Sequence, residues 1–125
     1  MSGAVLDTGA LVAFERMDRT MIAIVVRAQQ SESRLYVPAG VVAQAWRDGR
    51  KQARLAMLLN SPLVEVVPLT DTRARAAGQL CGARRTRDVV DASVVLLARE
   101  HGVPAITSDM DDLTRLDPSV TLIRV

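Results

Sequence analysis

Asp7, Asp91 and Asp109 stand where apolar segments give way to polar ones, a placement that suits carboxylates gathered at one edge of a fold. Asp7 directly follows Ala4-Val5-Leu6, Asp109 comes two residues after Ala105-Ile106-Thr107, and Asp91 lies in the first turn of a long helical pattern. Asp88 precedes Asp91 by three residues and Asp109 precedes Asp112 by three, the spacing that puts two side chains on one helical face. Taken singly, Asp7, Asp88, Asp109 and Asp112 each read first as helix N-caps, because aspartate accepts from free N–H groups and complements the positive helix end. Taken together, they would repel and raise one another's pKa unless a divalent cation neutralised them. An all-oxygen, carboxylate-rich set suits Mg²⁺ or Mn²⁺. Such an ion activates water, polarises a phosphoryl oxygen and stabilises the leaving oxygen, so phosphodiester hydrolysis is the chemistry these residues suggest.

The basic residues fit that substrate. Of 16 Lys and Arg, only Lys51 is a lysine. Arginine's planar fork can hold two oxygens of one phosphate. Two clusters, Arg47, Arg50, Lys51 and Arg54, then Arg84, Arg85 and Arg87, are candidate nucleic-acid contacts, with a solvated surface as the plainer alternative. Phe14, Tyr36 and Trp46 are the only aromatics, so an extended base-stacking platform is not expected and the backbone is the main handle.

Other chemistries lack their residues. His101 is the sole histidine, placed in a last helical turn, and no second histidine or cysteine stands near it to hold zinc. No serine or cysteine has a context suggesting activation as a nucleophile. Cys81 is the only cysteine, which precludes an intramolecular disulfide; it reads as a buried helical thiol. No Gly-x-Gly-x-x-Gly follows the first strand. No apolar stretch is long enough to cross a membrane and Asp7 interrupts any signal-peptide pattern, so a cytoplasmic location is the default expectation.

The elements that must position the acids alternate along the chain. Strands are predicted near Ala4–Leu6, Leu35–Val37, Val64–Val67, Ala105–Thr107 and Leu122–Val125. Helices are predicted near Ala10–Glu15, Thr20–Gln30, Val41–Leu59 with a break at Gly49, Thr70–Cys81, Val89–His101 and Met110–Leu116. Pro38, Pro62, Pro68, Pro104 and Pro118 all fall between elements. Unalternated apolar strands between helices imply a parallel sheet covered on both faces. The expected fold is a three-layer α/β/α arrangement of about five strands, one domain over residues 1–125, with ligands outside the carboxyl ends of the strands. A hydrophobic content of 49% and a charged content of 24% suit an ordinary globular chain.

Val5-Leu6-Asp7-Thr8-Gly9-Ala10-Leu11, Val89-Val90-Asp91-Ala92-Ser93 and Ile106-Thr107-Ser108-Asp109 resemble the acidic motifs of PIN-domain ribonucleases, and more narrowly those of VapC toxins. The likeness extends to Val41-Val42-Ala43-Gln44-Ala45-Trp46-Arg47 and to Asp109-Met110-Asp111-Asp112-Leu113. The resemblance implies Mg²⁺- or Mn²⁺-dependent cleavage of structured RNA, usually transfer or ribosomal RNA, with growth arrest as the outcome. It also implies a homodimer and inhibition by a VapB-type antitoxin. Asp7, Asp91 and Asp109 would be the catalytic and metal-holding residues, with Asp88 and Asp112 as additional ligands.

Gln44 departs from the family pattern, which usually has a glutamate there. Its carbonyl can still coordinate an ion or orient a water, but it brings no negative charge. Asp88 is the expected compensating acid and Asp48 a weaker candidate. Thr8 and Ser108 adjoin acidic positions, where they would orient carboxylates or water, or simply cap. A catalytically weakened PIN domain acting as a nucleic-acid-binding or regulatory module is the alternative that Gln44 motivates. A phosphoacceptor receiver module is disfavoured, since it requires an acceptor aspartate after a central strand and a late lysine, where this chain has Pro68 and only Lys51.

Overall fold

The computed structural model describes residues 3–125. Among them, β1 (Gly3–Leu6), β2 (Arg34–Pro38), β3 (Val64–Val67), β4 (Ala105–Thr107) and β5 (Leu122–Arg124) form an all-parallel sheet in the order β3-β2-β1-β4-β5. Parallel neighbours need crossovers. They are supplied by α1 (Thr8–Glu15), α2 (Arg19–Gln30), α3 (Ala39–Ala45), α4 (Ala53–Leu59), α5 (Asp71–Arg84), α6 (Val89–His101) and α7 (Met110–Leu116). The three-layer α/β/α fold expected from the alternation is the one observed.

Burial explains the composition of the strands. Every residue of β1 and β4 is buried, as a central strand covered on both faces requires, whereas the edge strand β3 exposes Glu65 and Val66. Helix α6 lies against β1, β2 and β4 through Ala92, Val94, Val95, Leu97 and Ala98, and ends at Gly102, whose φ of 62° gives the left-handed turn. The chain builds outward from β1 to β3 on one side, then crosses back to build β4 and β5 on the other. The reversal falls between β1 and β4, and such switch points open a crevice at the carboxyl edge.

The element boundaries differ from expectation where side chains intervene. Helix α1 starts at Thr8 rather than Ala10, because the Asp7 carboxylate accepts from the Ala10 N–H at 2.9 Å. Thr70 caps α5 and lies outside it, and α5 runs past Cys81 until Arg85 turns left-handed at φ 57°. The helical segment expected over Val41–Leu59 with a break at Gly49 is α3, a 3-10 turn at Gly49–Lys51 and α4. Gln52 explains the division. Its Oε1 accepts from the N–H groups of Arg47 (2.7 Å) and Asp48 (3.0 Å), and its Nε2 donates to the Ala45 carbonyl (2.9 Å), so one side chain bonds peptide groups left free at the break. Strand β5 stops at Arg124, although the Val125 N–H still donates to Thr107.

Candidate active site

The register of the two central strands places the first acid. Leu6 pairs with Ile106, so Asp7, the first residue beyond β1, comes alongside Thr107, the last residue of β4, at the switch point. The Asp7 N–H donates to the Ile106 carbonyl at 3.1 Å, while its carboxylate bonds the Ala10 N–H and the Thr107 hydroxyl. Thr107 is fully buried, and its Oγ1 also accepts from the Asp109 N–H at 2.8 Å. One hydroxyl therefore ties Asp7 to the start of the loop carrying Asp109. Asp7 is only 6% exposed; burial raises its pKa, the Thr107 and Ala10 hydrogen bonds partly offset this, and the charge of Asp109 adds to the rise.

Close approach of the two loops depends on Gly9. A Cβ there would lie 2.0 Å from Ser108 Oγ and 2.9 Å from Ser108 Cβ, so α1 packs on the β4–α7 loop only because the side chain is missing. Thr8 and Ser108 thus lie on facing segments of this edge. A cleft of about 420 Å³ continues from Thr8 and Ser108 along α1 to Arg16.

The remaining acids come as two pairs of one design. Asp88 is the N-cap of α6 and accepts from the Asp91 N–H at 3.0 Å; Asp109 is the N-cap of α7 and accepts from the Asp112 N–H at 3.3 Å. The first member of each pair precedes its helix, so the three-residue spacing reflects a cap and its first turn rather than one helical face. Asp91 is pushed up to about 7, first by burial, then by the charge of Asp88 and a hydrogen bond with it, with Asp112 and Asp7 adding further. Asp112 is raised by its hydrogen bond with Asp109 and by the charges of Asp109 and Asp88. Asp7, Asp88, Asp91, Asp109 and Asp112 therefore share one electrostatic neighbourhood. Among the described residues, no three His, Cys, Asp or Glu side chains converge on a single ion position. The donor chemistry nevertheless fits a hard divalent cation: the groups are oxygen donors, and their mutual repulsion is what such an ion neutralises.

Gln44 reaches the same edge from α3. The Thr8 hydroxyl donates to Gln44 Oε1 at 2.6 Å, and α3 begins against α6, where a Cβ on Gly40 would lie 3.3 Å from Val90. Asp48 is turned to local use, capping the 3-10 turn through the Arg50 N–H and meeting the Arg50 side chain.

The two basic clusters occupy different places. Arg47 folds back onto the carbonyls of Ala43 and Trp46, and Arg54 donates to the Glu15 carbonyl. Glu15 is the last residue of α1, about 12 Å of helix from its Asp7 cap. Arg84, Arg85 and Arg87 lie in or just after the last turn of α5, and the chain passes from them directly into Asp88. Elsewhere, His101 stacks on Tyr36 at 3.9 Å. Cys81 is buried in α5, as expected, and its thiol is raised by burial and by the charges of Asp88 and Asp91.

Thr107 is the site residue that sequence reasoning missed. As the β-branched end of an apolar strand it is indistinguishable from core, and only the β1–β4 register reveals that its hydroxyl meets Asp7. Asp117 was also unmarked, but its work is structural: it accepts from Ser119 N (2.8 Å), Ser119 Oγ (2.6 Å) and Arg99 Nε, which hold it down at about 2.

Aspartates at the carboxyl edge of a parallel sheet, one of them buried at its switch point, define the class as an α/β protein with its candidate site at that edge. The PIN domain profile matches residues 4–117, and the chain belongs to the PIN domain family. No curated protein matches it. Among solved structures, it is similar to VapBC2 from Rickettsia felis bound to a DNA fragment from its promoter, at 12% identity and a TM-score of 0.71 over 98% of each chain. It is similar to VapC20 from Mycobacterium tuberculosis, described as a sarcin-ricin loop cleaving toxin, at 20% identity and a TM-score of 0.61, covering 82% of this chain and 86% of that one. VapBC-5 from Mycobacterium tuberculosis, a member of the VapBC family of toxin–antitoxin systems, is 25% identical over the full length of both chains, with a TM-score of 0.58. No helix among the described residues is long and apolar enough to cross a membrane.

Proposed function

We propose that this chain is a divalent-metal-dependent endoribonuclease, the toxin of a VapBC-type pair restrained by a VapB-type antitoxin, acting as one domain in a cytoplasmic homodimer. The observation that carries the reading is that Asp7, buried at the switch point, feels the charge of Asp109, and that Asp91 feels those of Asp7, Asp88 and Asp112. Membership of the PIN domain family and the toxin–antitoxin neighbours support it.

Asp7, Asp91 and Asp109 would hold the Mg²⁺ or Mn²⁺, with Asp88 and Asp112 beside them. When bound, the ion supplies a Lewis acid for the phosphoryl oxygen and lowers the pKa of water. The chain's own groups do the rest. Thr107 holds the Asp7 carboxylate in place, and Thr8 and Gln44 offer a polar contact next to it. Arg84, Arg85 and Arg87 offset the phosphate charge nearest the acids, and Arg47, Arg50, Lys51 and Arg54 extend the grip on RNA, its class being transfer or ribosomal RNA.

The test is cleavage of total RNA with and without Mg²⁺ or Mn²⁺, alongside Asp7→Asn, with circular dichroism to check folding. Metal-dependent cleavage by the wild type and none by the variant is expected. RNA that binds but is not cut with either metal would favour the second reading, a catalytically weakened regulatory module, which the neutral Gln44 motivates.

A further inference from the structure

Trp46 follows α3 in an extended conformation, two residues beyond Gln44, whose carboxamide reaches the acidic edge through Thr8. It is the sole tryptophan of the chain, and it is 38% exposed. An indole normally buries a large apolar area, so one left this open beside a cluster of cations can take a flat partner. Its setting is specific on two counts. Gly49 approaches the ring so closely that a Cβ there would lie 2.7 Å from Cζ2, so the backbone is packed against one edge of the ring. The guanidinium of Arg47 donates to the Trp46 carbonyl at 2.9 Å and bonds Ala43 as well, which ties down the backbone from which the ring projects. Arg47, Arg50 and Lys51 around it are exposed.

A flat apolar surface beside exposed cations complements a nucleotide, whose base has a π face and whose phosphate is anionic. It does not suit an apolar protein surface, which would have to desolvate the surrounding cations. We propose that Trp46 stacks one unpaired base of the RNA substrate, anchoring it beside the cluster of Arg47, Arg50 and Lys51. The inference rests on the ribonuclease reading and adds the side chain that holds a base. It also limits what three aromatics can do: they provide one stacking position rather than a platform.

Because Trp46 is the only indole, intrinsic fluorescence reports on it alone. The full chain in EDTA is titrated with a short single-stranded RNA, with the same sequence as a duplex, and with polyphosphate, which carries charge but no bases. Saturable quenching by the single strand and none by polyphosphate is expected. Trp46→Ala should weaken single-strand binding by about tenfold or more while leaving polyphosphate binding unchanged, and Trp46→Phe should retain most of the affinity. Quenching by polyphosphate equal to that by RNA would overturn the proposal, as would single-strand affinity unaltered in Trp46→Ala. A change of size for Trp46→Ala on gel filtration would assign the ring to a protein contact instead. Failure of the wild type to cut RNA with either metal would sink the ribonuclease reading, whereas metal-dependent cutting by a protein whose Trp46 stays unquenched would sink the stacking inference alone.

Discussion

The Thr8 hydroxyl donates to Gln44 Oε1 at 2.6 Å, joining residues 36 positions apart across the mouth of the acidic edge. The bond fixes the end of α3 against the start of α1, so a change at either residue moves side chains on both. It also puts a neutral acceptor where the resemblance leads one to expect a carboxylate. The local balance of charge then depends on the remaining acids, and that balance can be measured.

Gly9→Ala should reduce cleavage at least tenfold, because a methyl group 2.0 Å from Ser108 Oγ must push apart the loops that bring Asp7 and Asp109 together. The same overpacking should cost about 1–3 kcal/mol of stability. Urea unfolding and a rate measurement on the same sample check both. A variant as stable and active as wild type would show that the loops can separate without consequence.

Asp91→Asn should stabilise the metal-free protein above neutral pH. A carboxyl raised from 3.8 to about 7 keeps its proton in the native state while the unfolded chain has lost it, so native stability falls as pH rises through that window. Removing the ionisable group removes the penalty, a gain of about 1 kcal/mol after screening at this partly open position, or a few degrees in Tm. In EDTA, the wild-type Tm should therefore drop between pH 5 and 8 more than that of Asp91→Asn. Adding Mn²⁺ should restore the wild type and leave the variant nearly unmoved. Parallel pH profiles would mean that Asp91 carries no such strain.

These two residues also mark how far the sequence could be read. Asp7 and Asp109 were placed by simple rules, since each follows an apolar strand and parallel sheets bind ligands at that edge. Asp91 was harder: its helix begins after a connection whose course depends on where α5 ends, and Arg85 ends it with a left-handed turn that glycine usually supplies. Thr107 and the Gln44–Thr8 bond were out of reach, because both arise from pairing between distant segments. The division of α3 from α4 was legible at Gly49 as a break, but not in its cause, because Gln52 acts through bonds to four separate residues.

Arg85→Gly should separate a stability effect from a binding effect. At φ 57° a side chain is strained, and glycine there should stabilise the fold by about 1 kcal/mol. If Arg85 contacts a phosphate, the same variant should bind RNA more weakly and lose about one from the slope of log affinity against log salt. Comparison with Arg47→Ala, Arg50→Ala and Arg54→Ala then ranks the two basic clusters. A steeper loss of slope at Arg85 would put the RNA path over the end of α5, while an unchanged slope would leave it with the residues near Trp46.

Asp88→Asn and Gln44→Glu together test whether Asp88 supplies the charge that Gln44 lacks. Asparagine caps a helix about as well as aspartate, so Asp88→Asn should preserve the bond to the Asp91 N–H and with it nearly all of the stability. It removes the charge that helps push Asp91 upward, so the metal-free protein should become slightly more stable at pH 8. If Asp88 also serves the ion, Mn²⁺ affinity should fall about tenfold, visible both in a thermal-shift titration and in the metal dependence of cleavage. Adding Gln44→Glu to that background returns one negative charge to the same edge, next to the Thr8 hydroxyl, and should recover part of the loss. Gln44→Glu in the wild type should tighten metal binding less, because the charge is already there. Equal effects of Gln44→Glu in both backgrounds would make the two residues independent, and a metal titration unmoved by Asp88→Asn would reduce Asp88 to a helix cap.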